Sequence, residues 1–194
     1  MWEADEVYSI LNSKGVEAAK QAAADYRTQV GQAIADGKLR PDEALGTYMT
    51  YAQQSLVVAA GESALGSDAL YGLARIYQAR QSSAEPALSG PKMKTLLHAA
   101  VKVDSDNWQA QNELGISYAR SQNWKKAEEA LAESIRVHPR PETWHNISEV
   151  YKRQGLNELA AKAESRSLAL QNGSGRERGL QPTSPDVVLS LIHI

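Results

Sequence analysis

Few residues in this chain have types and spacings that could do chemistry. His145 and Glu149 stand four apart, the interval that brings two ligands to one face of a helix. With no second histidine beside them, the pair reads as a surface contact rather than a metal set. His98 lies among Leu96, Leu97, Ala99 and Ala100 and reads as a packed or edge histidine, while His138 falls in a turn. Gly173, Gly175 and Gly179 lack the spacing of a phosphate loop, and no strand precedes them. Asn172-Gly173-Ser174 and Asn146-Ile147-Ser148 match the glycosylation pattern, the second within an expected helix. No nucleophile–base pair or pair of carboxylates stands out. The chain has no cysteine, which removes thiol catalysis, disulfides, zinc–thiolate and iron–sulfur sites together. These residues predict a protein that is not an enzyme, with no cofactor and no metal site.

The elements that carry them are read from composition and period. The 194 residues hold 21 basic and 23 acidic side chains, a net charge of −2, and 42% apolar residues. That balance belongs to a folded chain long enough to bury a core. Near-neutral charge, with no Arg/Lys stripe interleaved with aromatics, argues against nucleic acid as a partner. The longest apolar run in the first third, Ser55-Leu56-Val57-Val58-Ala59-Ala60, is too short to span a bilayer. Abundant alanine with no phenylalanine favours helix over sheet.

Self-comparison uncovers three segments in register. Leu70, Leu73, Ala74 and Tyr77 align with Gln111, Leu114, Gly115 and Tyr118, and these with Trp144, Ile147, Ser148 and Tyr151. Each set flanks a small residue with large ones at spacings of three, one and three, one face of a helix. A second set follows each: Met93, Leu97 and Ala100; Ala127, Leu131 and Ser134; Ala160, Glu164 and Ser167. Tyr77 and Tyr118 are 41 apart whereas Leu97 and Leu131 are 34 apart, so the extra residues fall between the two helices of the first unit, in 81–90. Tyr118 and Tyr151 are 33 apart, the shortening falling at His138-Pro139-Arg140-Pro141. Length changes confined to turns are what a helical repeat requires.

These residues resemble the tetratricopeptide repeat, a helix–turn–helix unit of about 34 residues with a Trp/Leu–Gly–Tyr first helix and an alanine-rich second. The middle unit matches best through Leu114-Gly115, Tyr118, Ala127, Leu131 and Pro139. The third matches through Trp144, Tyr151, Gly155 and Ala160, and departs at Glu164 and Asn172; the first departs through its insertion. The resemblance covers 67–171 as units 67–107, 108–140 and 141–171, and implies an all-α fold: a short right-handed superhelix of stacked hairpins. It also implies a non-catalytic interaction scaffold that holds an extended peptide or a partner helix in a groove lined by the first helices. The implied groove positions are Asp68, Tyr71, Arg75 and Gln78; Gln109, Asn112, Ile116 and Arg120; then Glu142, His145, Glu149, Lys152 and Arg153. The two-carboxylate clamp of chaperone-binding members is not matched, its positions holding Tyr71, Arg75, Glu113, Glu142 and Asn146. The cations Arg75, Arg120, Lys152 and Arg153, with Tyr71 as a platform, suit a peptide partner with some acidic character.

Outside the repeats, 1–66 reads as a helical cap or degenerate unit stacked on the array. Val7, Tyr8 and Leu11 give a short helix ending at Asn12-Ser13-Lys14-Gly15, and Val16 to Ala33 keep helical spacing as one helix up to Asp36-Gly37. Pro41 starts a further helix that stops at Gly61. Residues 172–188, rich in Gly, Ser and Pro, read as a flexible linker. The last six, Leu189-Ser190-Leu191-Ile192-His193-Ile194, equal the translation of a transposon end used in preparing DNA sequencing libraries. They are expected to be a sequencing-adapter artefact, His193 with them. On that expectation the chain is a fragment, and the alternative function is a regulatory or substrate-presenting arm of a larger enzyme or cell-envelope protein. No secretory signal stands at the acidic start, so a cytoplasmic location follows if Met1 is the native start and the cell envelope stays open if it is not.

Overall fold

The computed structural model of the chain describes residues 2–80 and 88–173. Within them the protein is all-α, built from ten helices with no strand. Four form the N-terminal third: α1 (Trp2–Lys14), α2 (Val16–Ala24), α3 (Gln29–Ala35) and α4 (Pro41–Ala60). Six follow as three successive hairpins, α5 (Ala64–Arg80) with α6 (Ser89–Val103), α7 (Trp108–Arg120) with α8 (Trp124–Val137), and α9 (Pro141–Arg153) with α10 (Asn157–Gly173). Each later hairpin rests its first helix on the second helix of the hairpin before it, α7 on α6 and α9 on α8.

Local chemistry sets the helix limits. Pro41 and Pro141 occupy first-turn positions, where a missing N–H costs nothing. The side-chain oxygen of Asn107 accepts from Ala110 N at 2.9 Å and that of Asn123 from Lys126 N at 3.4 Å, capping α7 and α8. The turns closing α7 and α9 are built alike: Asn123 N donates to Tyr118 O and Leu156 N to Tyr151 O, both at 2.9 Å. Their middle residues, Gln122 (φ 58°) and Gly155 (φ 77°), share the left-handed conformation that favours glycine.

Packing inside the hairpins follows the aligned register. Leu70, Ala74, Met93, Leu97 and Ala100 are buried in one cluster that extends to Ala110 and Leu114; Ala127, Leu131, Trp144, Ile147, Tyr151 and Ala160 are buried in the next. At Gly115 an added Cβ would lie 2.5 Å from Leu131 Cγ, so the small residue is what lets α7 and α8 approach. A buried hydroxyl staples the base of every hairpin. Ser134 Oγ donates to Trp108 O at 2.9 Å and Ser167 Oγ to Pro141 O at 2.8 Å, from second helix to first. In the first hairpin the same staple is reversed: Ser67 Oγ, at the register of Trp108, donates to Ala100 O at 2.9 Å.

Several expectations are corrected. The single helix expected from Val16 to Ala33 is two, because the chain turns at 25–28 and Thr28 caps a new helix, accepting from Gly31 N at 3.0 Å. The expected loop at 81–90 is shorter at its far end, since Ser89 and Gly90 already belong to α6; residues 81–87 lie outside the described residues. The linker assigned to 172–188 loses Asn172 and Gly173 to α10, and 174–188 and the closing six residues lie outside the description. Helix α5 begins at Ala64, before the boundary placed at 66. Leu73, expected on the core face, is 45% exposed.

The N-terminal third makes its own core from Ala4, Val7, Ala19, Ala23, Ile34, Ala44 and Tyr48, joined by Leu88 from the start of α6. Acidic residues of α1 tie it down: Tyr48 OH and Thr28 Oγ1 both donate to Glu3, and Tyr26 OH donates to Glu6. Lys92, buried on α6, donates to Asp5 and lies over the Tyr77 ring. Helix α4 lies along α6 and touches α5 only slightly.

Candidate functional site

Helices α5, α7 and α9 are the first helices of the three hairpins, and polar side chains link them laterally. Gln78 Nε2 donates to Glu113 at 3.0 Å, and Arg75 reaches the same carboxylate at 3.8 Å while donating to Tyr71 OH at 3.1 Å. The phenol oxygen raises the Arg75 pKa, with Glu113 adding to it. Between α7 and α9, Asn146 Nδ2 donates to Asn112 Oδ1 at 2.9 Å. The Asn146-Ile147-Ser148 pattern is therefore occupied in the fold, with Ile147 fully buried.

The structure distributes the sequence-named residues over three places. Tyr71 and Arg75 stand at the α5–α7 seam and Asn112 at the α7–α9 seam, with Ile116 half-buried on α7. Arg120 and Arg153 occupy the same register, exposed in the last turns of α7 and α9, where helix dipoles favour cations. His145, Glu149 and Lys152 form a third group on α9, facing α10. Glu164 accepts from Ser148 Oγ at 2.7 Å and His145 Nδ1 at 3.2 Å, with Lys152 Nζ at 3.7 Å. Lys152 also donates to Glu149 at 2.6 Å. The Ser148 hydrogen bond, followed by His145 and Lys152, lowers the Glu164 pKa. Among the described residues no three His, Asp or Glu side chains converge as a metal set. No helix there is long and apolar enough to cross a membrane.

Two features went unread in the sequence. At the seam of α6, α7 and α8, His98 Nε2 is hydrogen-bonded to Tyr118 OH at 2.8 Å, and Lys94 and Lys126 lie 5.2 and 5.6 Å from the Tyr118 ring centre. Burial lowers the His98 pKa, and the two lysines lower it further. The 41-, 34- and 33-residue spacings place Tyr118 on α7 but do not foretell which lysines meet its ring. The second is a cleft of about 1300 Å³ along α3 and α4, with Glu3, Thr28 and Tyr48 on its wall and Val30, Leu39 and Leu56 as its apolar part. Comparison of the chain with protein-family models, curated proteins and solved structures finds no match.

Proposed function

We propose that the protein is a non-catalytic interaction scaffold of the tetratricopeptide type, holding an extended peptide or a partner helix across the first helices of its hairpins. The observation that carries this reading is the lateral ladder Gln78–Glu113 and Asn112–Asn146, which aligns α5, α7 and α9 as one surface. Arg120 and Arg153 stand exposed along it with no ion pair or hydrogen bond among the described residues. A cation free of intramolecular carboxylates can give its full charge to a ligand, so the groove suits a peptide bearing Asp or Glu.

The test is fluorescence anisotropy with a labelled peptide library of graded acidity, at low and high salt. Acidic members are expected to bind, more weakly as salt rises. The Arg120→Glu, Arg153→Glu double variant is expected to lose that binding, and unchanged capture by it refutes the groove.

A further inference from the structure

We propose that copies of this chain associate head to tail, with α10 of one copy seated on α5 of the next, repeating the junction that each chain already makes twice internally. This contact follows the hairpin register and is independent of the peptide groove.

Three positions on the first helix of a hairpin face the second helix before it. In α7 they are Ala110, Leu114 and Ser117, and in α9 they are Thr143, Ile147 and Val150; all six are buried. In α5 the same register holds Ala69, Leu73 and Ile76. Here Ala69 is exposed, Leu73 is 45% exposed and Ile76 is 52% exposed. The cause lies in the N-terminal third, where α4 lies along α6 instead of over α5. The seat for a second helix is thus present on α5, and no helix among the described residues covers it.

The opposite end carries the matching face. On α8, Ile135 is buried against α9 beside Trp144 and Ile147, and Glu128 accepts from Gln154, the residue capping the end of α9, at 2.6 Å. The same register on α10 holds Leu168, 50% exposed, and Ala161, also exposed. Helices α6 and α8 are already covered by α7 and α9, so among the described residues α10 is the one second helix whose next-hairpin face is free. End repeats of a stack ordinarily turn a polar face to solvent; among the described residues the first and third hairpins instead turn aliphatic side chains outward at stacking positions. Because head and tail are different surfaces, the contact is heterologous and does not close on itself at two copies.

The test is sedimentation equilibrium of the full chain from roughly 10 µM to roughly 1 mM, the range in which a small apolar contact is measurable. The weight-average mass is expected to rise with concentration beyond that of one chain. Leu73→Glu and Leu168→Glu, each checked for helicity by circular dichroism, are expected to stay single chains. Their equimolar mixture is expected to form two-chain species and nothing larger, since one intact head meets one intact tail. The absence of native cysteine gives a second readout that tolerates a misfolded glutamate variant. Leu73→Cys mixed with Leu168→Cys is expected to oxidise mainly to the mixed disulfide. A constant single-chain mass overturns the proposal and leaves the faces to another protein. Association that survives either glutamate variant, or a predominance of 73–73 disulfide, overturns it in favour of a face-to-face pair.

Discussion

The contact between Gly115 and Leu131 permits a quantitative test of how the hairpins are built. A Cβ at Gly115 would lie 2.5 Å from Leu131 Cγ, 2.8 Å from its Cδ2 and 3.2 Å from Ala127 O. Cγ stays in place when the end of the leucine side chain rotates, and Leu131 is wholly buried, so relief requires shifting α7 from α8 or forcing Leu131 into another rotamer against its packed neighbours. Overpacking of this kind costs about 1–3 kcal/mol, against which alanine gains about 1 kcal/mol over glycine in a helix interior. Gly115→Ala is therefore expected to destabilise by about 1 kcal/mol. Leu131→Ala is expected to cost about 2–5 kcal/mol through the cavity it leaves. Once Leu131 is truncated the added methyl has room, so in that background Gly115→Ala is expected to stabilise by about 0.5–1 kcal/mol. The coupling energy of the double-mutant cycle is then about 1.5–2 kcal/mol. Urea unfolding followed by far-ultraviolet circular dichroism gives all four free energies. Additivity within about 0.5 kcal/mol would show that Gly115 is not there to admit Leu131, and the reasoning would fail.

Three further outcomes follow from the same geometry. Gln122 holds the left-handed conformation that Gly155 holds in the equivalent turn, so Gln122→Gly is expected to raise the urea midpoint, by about 1 kcal/mol in stability. A fall in that midpoint would contradict the shared turn. Tyr151 OH is buried with no hydrogen-bond partner among the described residues, and burial, with Glu128, raises its pKa. Tyr151→Phe is expected to stabilise by about 1 kcal/mol, and a loss of that size in thermal unfolding would mean the hydroxyl is satisfied. His98 has a lowered pKa, so the unfolded chain takes up its proton first. Its contribution is full above pH 6.5 and lost as pH falls through the folded value. Urea midpoints between pH 7 and pH 5 are expected to fall less steeply in His98→Gln, and an identical slope would dismiss the histidine.

The second half of the fold is legible in the sequence because its core positions repeat. Ala74, Gly115 and Ser148 each mark a close approach, and Leu70, Leu114, Trp144, Ile147 and Tyr151 around them mark one buried face. The break between α2 and α3 is hidden because apolar spacing continues from Val16 to Ala33 without a glycine or proline before Gly31. What ends the helix is tertiary: Thr28 caps α3 and also donates to Glu3 of α1 at 2.8 Å. The pattern assigns Leu73 an apolar face, but whether anything covers that face depends on where α4 packs. The candidate groove is legible only as positions on α5, α7 and α9. Which of its side chains are spent on neighbours, as Arg75 is on Glu113 and His145 on Glu164, depends on contacts more than fifteen residues apart in the chain.

Glu164 shows how a departure from the repeat can be a consistent substitution. In the middle hairpin the contact pairs Gly115 with Leu131, and in the first hairpin the same register pairs Ala74 with Leu97 in one apolar cluster. In the third hairpin both members change together, to Ser148 and Glu164, and a hydrogen bond of 2.7 Å replaces the packing contact. A carboxylate at the Leu131 position would be enclosed and would have to shed water without compensation. At 164 the side chain keeps about a third of its surface in water and gathers Ser148, His145 and Lys152 around it. The backbone register is thus preserved while the chemistry of the contact is exchanged, as it is when the hydroxyl staple passes from Ser134 and Ser167 to Ser67 on the opposite helix. Such pairs keep the approach of the two helices within each hairpin, whichever of the three chemistries fills the gap.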